Sequence, residues 1–188
     1  MKSSFWKNEG FLFIVKFLSL FLIFYYFNLF FISITARRSN AFTLFLKLHL
    51  DYIDWLRFSV LKVSEIVCGL IGIKCHMQGD FIISLNSKLG GLRMVYRCIG
   101  YGIMSFWAAF IIANNIRLIN KIAWTVTGWI IIWIINCFRV VILLFAIQNR
   151  WPISRFLDHH TLFNIFSYCL IFLLIYIFIK REKTLSLL

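Results

Sequence analysis

The chain has 188 residues, of which 62% are hydrophobic and 14% are charged, and its mean hydropathy is +0.87. Too few polar side chains remain to cover a water-soluble globule of this size, so we expect a bilayer to be the solvent. The formal charge of +13 comes from Lys and Arg residues scattered between apolar runs, without a basic stripe of interleaved aromatic residues. This pattern argues against a nucleic-acid partner.

Phe occurs 22 times and Pro only once, which favours long uninterrupted helices. We therefore predict an all-α, multi-pass transmembrane helical bundle of about five spans. Residues 1–188 are expected to form a single integral membrane domain.

The first predicted element is an anchor helix over residues 11–34, an apolar run in which only Lys16 is charged. The run exceeds the ~20 residues needed to span hydrocarbon, so we expect it to stay in the membrane rather than act as a cleaved signal peptide. Residues 40–73 mix charged and apolar side chains. This mixture predicts an amphipathic helix that runs into a membrane segment near residues 60–73.

Residues 74–97 contain several glycines and an alternating stretch over residues 80–86, which predicts a short extracytoplasmic hairpin or loop. Because this predicted external segment also carries basic residues, the positive-inside rule does not fix the topology. The orientation of the N-terminus therefore stays open.

Three apolar helices follow, at residues 98–114, 122–147 and 161–179. Short basic segments separate the first two and close the third. Together the three helices form a predicted catalytic core over residues 98–179.

If these helices cross the membrane alternately, three polar side chains lie at the same membrane face. Cys98 starts the first helix, and His160 immediately precedes the last. Arg139 lies 18 residues beyond Lys121, which at ~1.5 Å per residue is roughly 27 Å, about one hydrocarbon thickness. Alternate crossing therefore predicts that a thiol, a guanidinium and an imidazole meet.

Such a set of groups suits covalent acyl transfer. Cysteine attacks as the thiolate, which a helix N-terminus and a nearby guanidinium stabilise. Histidine can pass a proton to a leaving amine, and arginine can hold a developing oxyanion. Asn136 lies three residues before Arg139 on the same helical face, where it can orient Arg139 or a substrate carbonyl.

Each of these residues also has a purely structural interpretation. A cysteine in a membrane helix is usually a packing residue, and Cys68, Cys137 and Cys169 serve as comparisons. An arginine can extend to the interface from an apolar run. The pair His159 and His160 can cap the last helix at the headgroup level.

Five cysteines are an odd number, and most lie in apolar runs, so they do not form the pattern of a disulfide framework. At least one must be free unless it pairs with another chain. Cys75 and His76 could join His159 and His160 in a metal site, but this spacing fits no common zinc pattern. We predict no metal and no cofactor.

Three elements of the chain resemble, in order and spacing, the C-x-G, N-x-x-R and histidine-containing motifs of the exosortase/archaeosortase family. The resemblance covers residues 74–180, and the chain is similar in size to compact, Bacteroidetes-type members. The matching elements are Cys98-Ile99-Gly100, Asn136-Cys137-Phe138-Arg139 and His160-Thr161-Leu162-Phe163-Asn164.

This family resemblance implies Cys98 as nucleophile, Arg139 as transition-state stabiliser and His160 as acid and base. Gly100 and Asn136 would support them, and His159 is the alternative acid and base. The family's glycine four residues after the histidine is replaced here by Asn164.

The resemblance also implies a function, that of a membrane-embedded cysteine protease and transpeptidase. Its substrates would be secreted proteins with a C-terminal sorting tail made of a short motif, a membrane helix and a basic cluster. Cleavage would release the tail and transfer the new C-terminus to a membrane lipid or glycolipid acceptor on the extracytoplasmic face.

Two other functions compete with this hypothesis. A non-catalytic membrane assembly partner or small transporter would use Arg139 to bind an anion or a partner helix. An acyl- or glycolipid transferase would use His160 without a cysteine intermediate.

Overall fold

The computed structural model describes residues 9–36, 40–85, 91–149 and 159–185, apart from a few side chains that include Arg97, His159 and His160. Within these ranges the protein is mostly helical, with a small antiparallel sheet. A 3-10 turn, Tyr96–Cys98, follows the sheet. The helices are α1 (Glu9–Ala36), α2 (Ala41–His49), α3 (Tyr52–Leu70), α4 (Tyr101–Ala113), α5 (Leu118–Gln148) and α6 (His159–Leu185), and the strands are β1 (Cys75–Gln78), β2 (Phe81–Ser84) and β3 (Gly91–Arg93).

Two of the described helices are long and apolar enough to cross a membrane. The α1 segment Glu9–Thr35 has 27 residues and contains an 18-residue window with a mean hydropathy of 2.1, and α5 has 31 residues and contains such a window with a mean hydropathy of 2.7. Helix α4 has only 13 residues. At ~1.5 Å per residue it reaches roughly 20 Å, which is less than the ~30 Å of a hydrocarbon core. The mostly helical architecture is confirmed.

Two compact units make up the chain. The first contains Met1–Ser59 and Val95–Trp133, and the second contains Val60–Met94 and Ile134–Leu188. Each unit therefore includes a part of α3 and a part of α5.

In the first unit, α4 and α5 pack as an antiparallel pair. The indole Nε1 of Trp107 donates to the carbonyl of Trp124 at 2.9 Å, and the indole Nε1 of Trp129 donates to the carbonyl of Met104 at 3.1 Å. Trp107 is fully buried, and a Cβ at Gly128 would overlap its indole. The absence of a side chain at Gly128 therefore makes room for the Trp107 indole between the two helices.

Aromatic side chains hold α1 against α4 in the same unit. The rings of Phe17 and Phe106 meet edge to face with centroids 5.2 Å apart, and those of Tyr25 and Tyr101 stack at 5.9 Å. Such pairs add about 0.5–1.5 kcal/mol each beyond the area that they bury. The high phenylalanine content is thus used partly in contacts between helices.

The segment over residues 40–73 contains two helices, whereas the sequence predicted one that continues into a membrane segment. The chain leaves helical geometry at Leu50 and Asp51, between α2 and α3. The Asp51 carboxylate Oδ1 accepts a hydrogen bond from the Asp54 amide at 3.1 Å. A short acidic side chain in this position caps a new helix, which is why α3 begins there.

In the second unit, the predicted hairpin is present as β1 and β2, joined through Gly79 and Asp80. Strand β3 adds antiparallel to β2, which the sequence did not predict. Glu65 of α3 holds the sheet, because its Oε1 accepts from the Met77 amide of β1 at 3.0 Å. Lys62 donates to the other carboxylate oxygen of Glu65 at 2.7 Å.

Substituting Gly128 with alanine should destabilise the first unit. The added methyl group overlaps the buried Trp107 indole, and overpacking of this kind costs about 1–3 kcal/mol. Thermal unfolding of the detergent-solubilised protein measures the effect. Gly69→Ala in α3 is the matched control, since its Cβ would meet nothing within 4 Å, and an equal melting temperature for the two variants would contradict the prediction.

Candidate functional site

Cys98 ends the 3-10 turn that directly precedes α4. Its amide donates to the Val95 carbonyl at 2.8 Å, and the next amide, of Ile99, donates to the Tyr96 carbonyl at 3.1 Å. The helix begins at Tyr101, three residues later than the sequence predicted. The thiol is partly exposed. It therefore lies on a turn at a helix N-terminus rather than within the helix.

Gly100 gives this turn its shape. Its φ of +87° lies in the left-handed region, and it occupies the N-cap position of α4. Residues with a Cβ are strained in this conformation, whereas glycine is not. The turn thus gives a physical reason for a glycine two residues after Cys98.

The other four cysteines have different surroundings. Cys68 and Cys137 are buried, and Cys169 is exposed on α6. Cys75 is partly exposed at the start of β1, and its sulfur lies 4.0 Å from the Glu65 carbonyl oxygen. Among the five, Cys98 is the thiol that lies on a turn before a helix.

Arg57 is a candidate site residue that the sequence analysis missed. Its guanidinium lies 5.1 Å from the centre of the Tyr96 ring, in the same turn as Cys98. Arg57 also forms an ion pair with Asp54. The cation–π contact brings a positive charge to this turn. A signal was available, because Asp51, Asp54 and Arg57 recur every three residues on one helical face.

The predicted Asn136 and Arg139 lie one turn apart on α5, in the second unit. Asn136 is buried, and Arg139 is partly buried. The Ser64 hydroxyl of α3 lies 3.2 Å from the carbonyl oxygen of Cys137, so α3 and α5 pack together beside these two residues. The asparagine and arginine therefore lie on a packed part of the helix.

His159 and His160 are the first two residues of α6, which begins two residues before the predicted start at residue 161. Their side chains lie outside the described residues, as does Arg97. Cys98 belongs to the first unit, whereas Arg139 and α6 belong to the second. The meeting of thiol, guanidinium and imidazole in one pocket therefore stays a prediction.

A cavity of about 570 Å³ lies within the first unit, among α1, α3, α4 and α5. Its walls carry no charged side chain and are mostly apolar or aromatic. Tyr101 belongs to this wall and is three residues from Cys98. Other wall residues are Phe24, Leu56, Ala108, Ile130 and Trp133.

One side of the cavity is polar and internally hydrogen-bonded. The Tyr52 hydroxyl donates to Asn28 Oδ1 at 2.7 Å, and Asn28 Nδ2 donates to the Ser105 hydroxyl at 3.2 Å. That hydroxyl donates in turn to the Tyr101 carbonyl at 2.8 Å. Since these groups largely satisfy one another, the cavity suits an apolar ligand better than an ionic one.

No protein-family model, curated protein or solved structure matches this chain. The resemblance to exosortases therefore rests on the three short motifs that contain Cys98, Arg139 and His160. Among the described side chains, no group of three or more His, Cys, Asp or Glu residues could hold a metal ion.

Asp51 carries a buried charge at the break between α2 and α3. It is 2% exposed, and its Oδ2 has no hydrogen-bond partner among the described residues. Burial raises the pKa of this carboxyl group, and the hydrogen bond from the Asp54 amide opposes the shift only in part. The folded protein therefore binds this proton more tightly than the unfolded chain does.

Replacing Asp51 with asparagine should remove a pH dependence of stability. The contribution of Asp51 is fully present below its unfolded pKa, about 3.9, and is lost as the pH rises through its higher folded pKa. Asparagine caps helices as well as aspartate does but carries no charge. Melting temperatures from pH 4 to pH 7 should fall less for Asp51→Asn than for the wild type. Glu9→Gln, at an exposed carboxylate, should leave the wild-type slope unchanged, and a wild-type slope in Asp51→Asn would contradict the prediction.

Proposed function

We propose that this chain is a membrane-embedded cysteine protease and transpeptidase that cleaves C-terminal sorting tails from secreted proteins. The observation that carries the proposal is the position of Cys98, partly exposed on the Gly100 turn at the N-terminus of α4. A helix N-terminus stabilises a thiolate, which is the attacking form of cysteine. The order of the three motifs supports the same chemistry.

In the proposed first step, the Cys98 sulfur attacks the carbonyl carbon of the scissile peptide bond. Arg139 stabilises the oxyanion that forms, with Asn136 orienting the guanidinium or the carbonyl. His160 donates a proton to the departing amine, with His159 as the alternative donor. The C–N bond breaks, the sorting tail leaves, and a thioester remains on Cys98.

In the second step, a nucleophilic group of a lipid or glycolipid acceptor attacks the thioester carbonyl. The same histidine takes the proton of that group, and the Cys98 thiolate departs. The product is the secreted protein joined to the acceptor, and the enzyme is regenerated. Water in place of the acceptor would give simple hydrolysis.

The uncharged cavity supports a substrate with an apolar part. It adjoins the Cys98 turn through Tyr101, and about 570 Å³ suits a few side chains of a membrane helix or part of a lipid tail. An anion pathway would need positively charged or donor-rich walls, so the uncharged wall of this cavity does not support a transport function. A transporter or assembly partner would have to use Arg139 elsewhere.

The proposal includes a location and a topology. We place the chain in the cytoplasmic membrane as about five spans, counting α3, α4 and α6 in addition to the two helices that are long enough to cross, with the bilayer thinned locally at the shorter α4. The active site would face the extracytoplasmic side, where secreted substrates arrive. Glycosylation or thiol-labelling reporters at the helix ends test this topology.

Loss of Cys98 or Arg139 should abolish tail processing. Cys98→Ala removes the nucleophile, and Arg139→Ala removes the oxyanion partner, so we expect losses of roughly 10³-fold or more and 10²-fold or more, respectively. The assay follows the size of secreted proteins that share a C-terminal motif, membrane helix and basic end, coexpressed with the enzyme. Cys169→Ala, at an exposed position on α6, should process normally.

Normal processing by Cys98→Ala would end the proposal if the variant accumulates in the membrane. Processing that needs Arg139 and His160 but not Cys98 would favour the lipid transferase. Transport or complex formation that needs Arg139 alone would favour the non-catalytic alternative. A hydroxylamine-sensitive adduct on Cys98 would identify the thioester directly.

Gly100→Ala should reduce processing about tenfold while the protein still inserts. A Cβ at this φ costs roughly 1–2 kcal/mol, which the turn can relieve by moving Cys98. Gly102→Ala is the control two residues later, where the added Cβ would approach Tyr25 at 3.4 Å, near ordinary contact. Rates of tail processing, normalised to membrane-inserted enzyme, test the difference. Equal rates for the two variants would show that the Gly100 turn does not position the thiol.

A further inference from the structure

The C-terminal end of α3 turns the chain back onto its own last turn. The Ile73 amide donates to the Cys68 carbonyl at 2.9 Å, and the Gly72 amide donates to the Gly69 carbonyl at 3.3 Å. Gly72 has a φ of +81°. These features define a Schellman motif, a common helix ending that reverses the chain direction. Strand β1 consequently starts beside the helix that precedes it.

This reversal brings two thiols together in the second unit. The buried Cys68 thiol forms a side-chain hydrogen bond with the sulfur of Cys75. The Cys75 thiol donates in turn to the Glu65 carbonyl, 4.0 Å away. Glu65 precedes Cys68 by three residues, so the Cys75 sulfur lies over one face of the last turns of α3.

We propose that Cys68 and Cys75 form a reversible disulfide that ties strand β1 to the last turn of α3. Sequence analysis argued against a disulfide framework, because it placed Cys68 in a membrane segment and Cys75 in an external loop. The proposal does not rest on the proposed function, since neither residue belongs to the candidate catalytic set.

The oxidant required is a disulfide, such as oxidised glutathione or a thiol–disulfide oxidoreductase. The partly exposed Cys75 attacks one sulfur of that disulfide as the thiolate, forming a mixed disulfide and releasing one thiolate. Cys68 then loses its proton and attacks the Cys75 sulfur, which releases the second thiolate. Two protein thiols are oxidised by two electrons, and the oxidant is reduced to two thiols.

The surroundings of Cys75 predict a slow reaction at neutral pH. Burial raises the pKa of the Cys75 thiol, and the hydrogen bond from Cys68 lowers it in part. The thiolate fraction therefore increases as the pH rises. We expect oxidation of the pair to accelerate by more than about tenfold between pH 7 and pH 8.5, because the thiolate fraction of a thiol with a raised pKa rises nearly tenfold per pH unit in this range.

The bond would stabilise the small sheet by closing a short loop. Linking residues 68 and 75 restricts the unfolded chain locally, and disulfides of this kind stabilise by on the order of tenfold to a hundredfold in the folding equilibrium. The sheet already contacts α3 through Glu65 and the Met77 amide. Hydrogen exchange of that amide should slow on oxidation.

The test uses the full-length protein purified in detergent and equilibrated with an excess of oxidised glutathione. Free thiols are then alkylated under denaturing conditions and counted by mass spectrometry. Neither Cys68 nor Cys75 should be alkylated, and peptide mapping should find the two linked to each other, whereas a glutathione adduct on an exposed cysteine such as Cys169 is recognised by its added mass. Dithiothreitol should restore all five thiols of the sequence.

Three variants make the test specific. Cys75→Ser and Cys68→Ser should each eliminate the linked peptide, whereas Cys137→Ser, at a buried thiol of the same unit, should keep it. If Cys68→Ser fails to fold, the peptide map of the wild type and the result for Cys75→Ser still show whether Cys68 and Cys75 form a disulfide. Five alkylated thiols in excess oxidant at pH 8.5, or a link from Cys75 to any other cysteine, would overturn the proposal.

Discussion

The insertion of the Trp107 indole of α4 against Gly128 of α5 is the interaction that joins these two helices in the first unit. A large indole is fully buried there and bonded to the Trp124 carbonyl, which is possible only because the facing residue has no side chain. This contact holds α4 to α5, and the aromatic pairs of Phe17 with Phe106 and Tyr25 with Tyr101 hold α4 to α1. The N-terminus of α4 is positioned as a result, and with it Tyr101 and the turn that carries Cys98. The candidate nucleophile Cys98 and the cavity-wall residue Tyr101 are therefore both positioned by the N-terminus of α4.

Polar groups inside this apolar unit are mostly satisfied by their neighbours. A chain of hydrogen bonds runs through Tyr52, Asn28 and Ser105 and ends on a backbone carbonyl. Few donors or acceptors in this chain are therefore left for a ligand to pair with. Asp51 differs, since one of its oxygens has no described partner although the other caps α3. The helix break at Asp51 therefore comes with a buried, electrostatically unfavourable carboxylate. A capping role explains why a short polar side chain occurs at this position, but not why that side chain is ionisable.

The long helices could be predicted from the sequence because continuous apolar runs are informative over many residues. The run at 11–34 became α1 and the run at 122–147 became α5, each extended by a few residues. The boundaries of the shorter helices and strands depend instead on local hydrogen bonds. The start of α3 depends on Asp51, and β3 is only three residues long, too short to give an alternating pattern. At the site, the position of Cys98 before a helix could be predicted within three residues. The contact of Arg57 with Tyr96 could not, because it joins residues far apart in the sequence.

The five cysteines show why residue type alone does not identify a nucleophile. Cys137 is enclosed by packing, and Cys169 is exposed on a helix. Cys68 and Cys75 engage one another, an arrangement suited to oxidation to a disulfide rather than to attack on a peptide carbonyl. Cys98 alone combines partial exposure with a helix N-terminus and a nearby cation on Tyr96. The turn at Gly100 is therefore the backbone feature that distinguishes the surroundings of Cys98 from those of the other four cysteines.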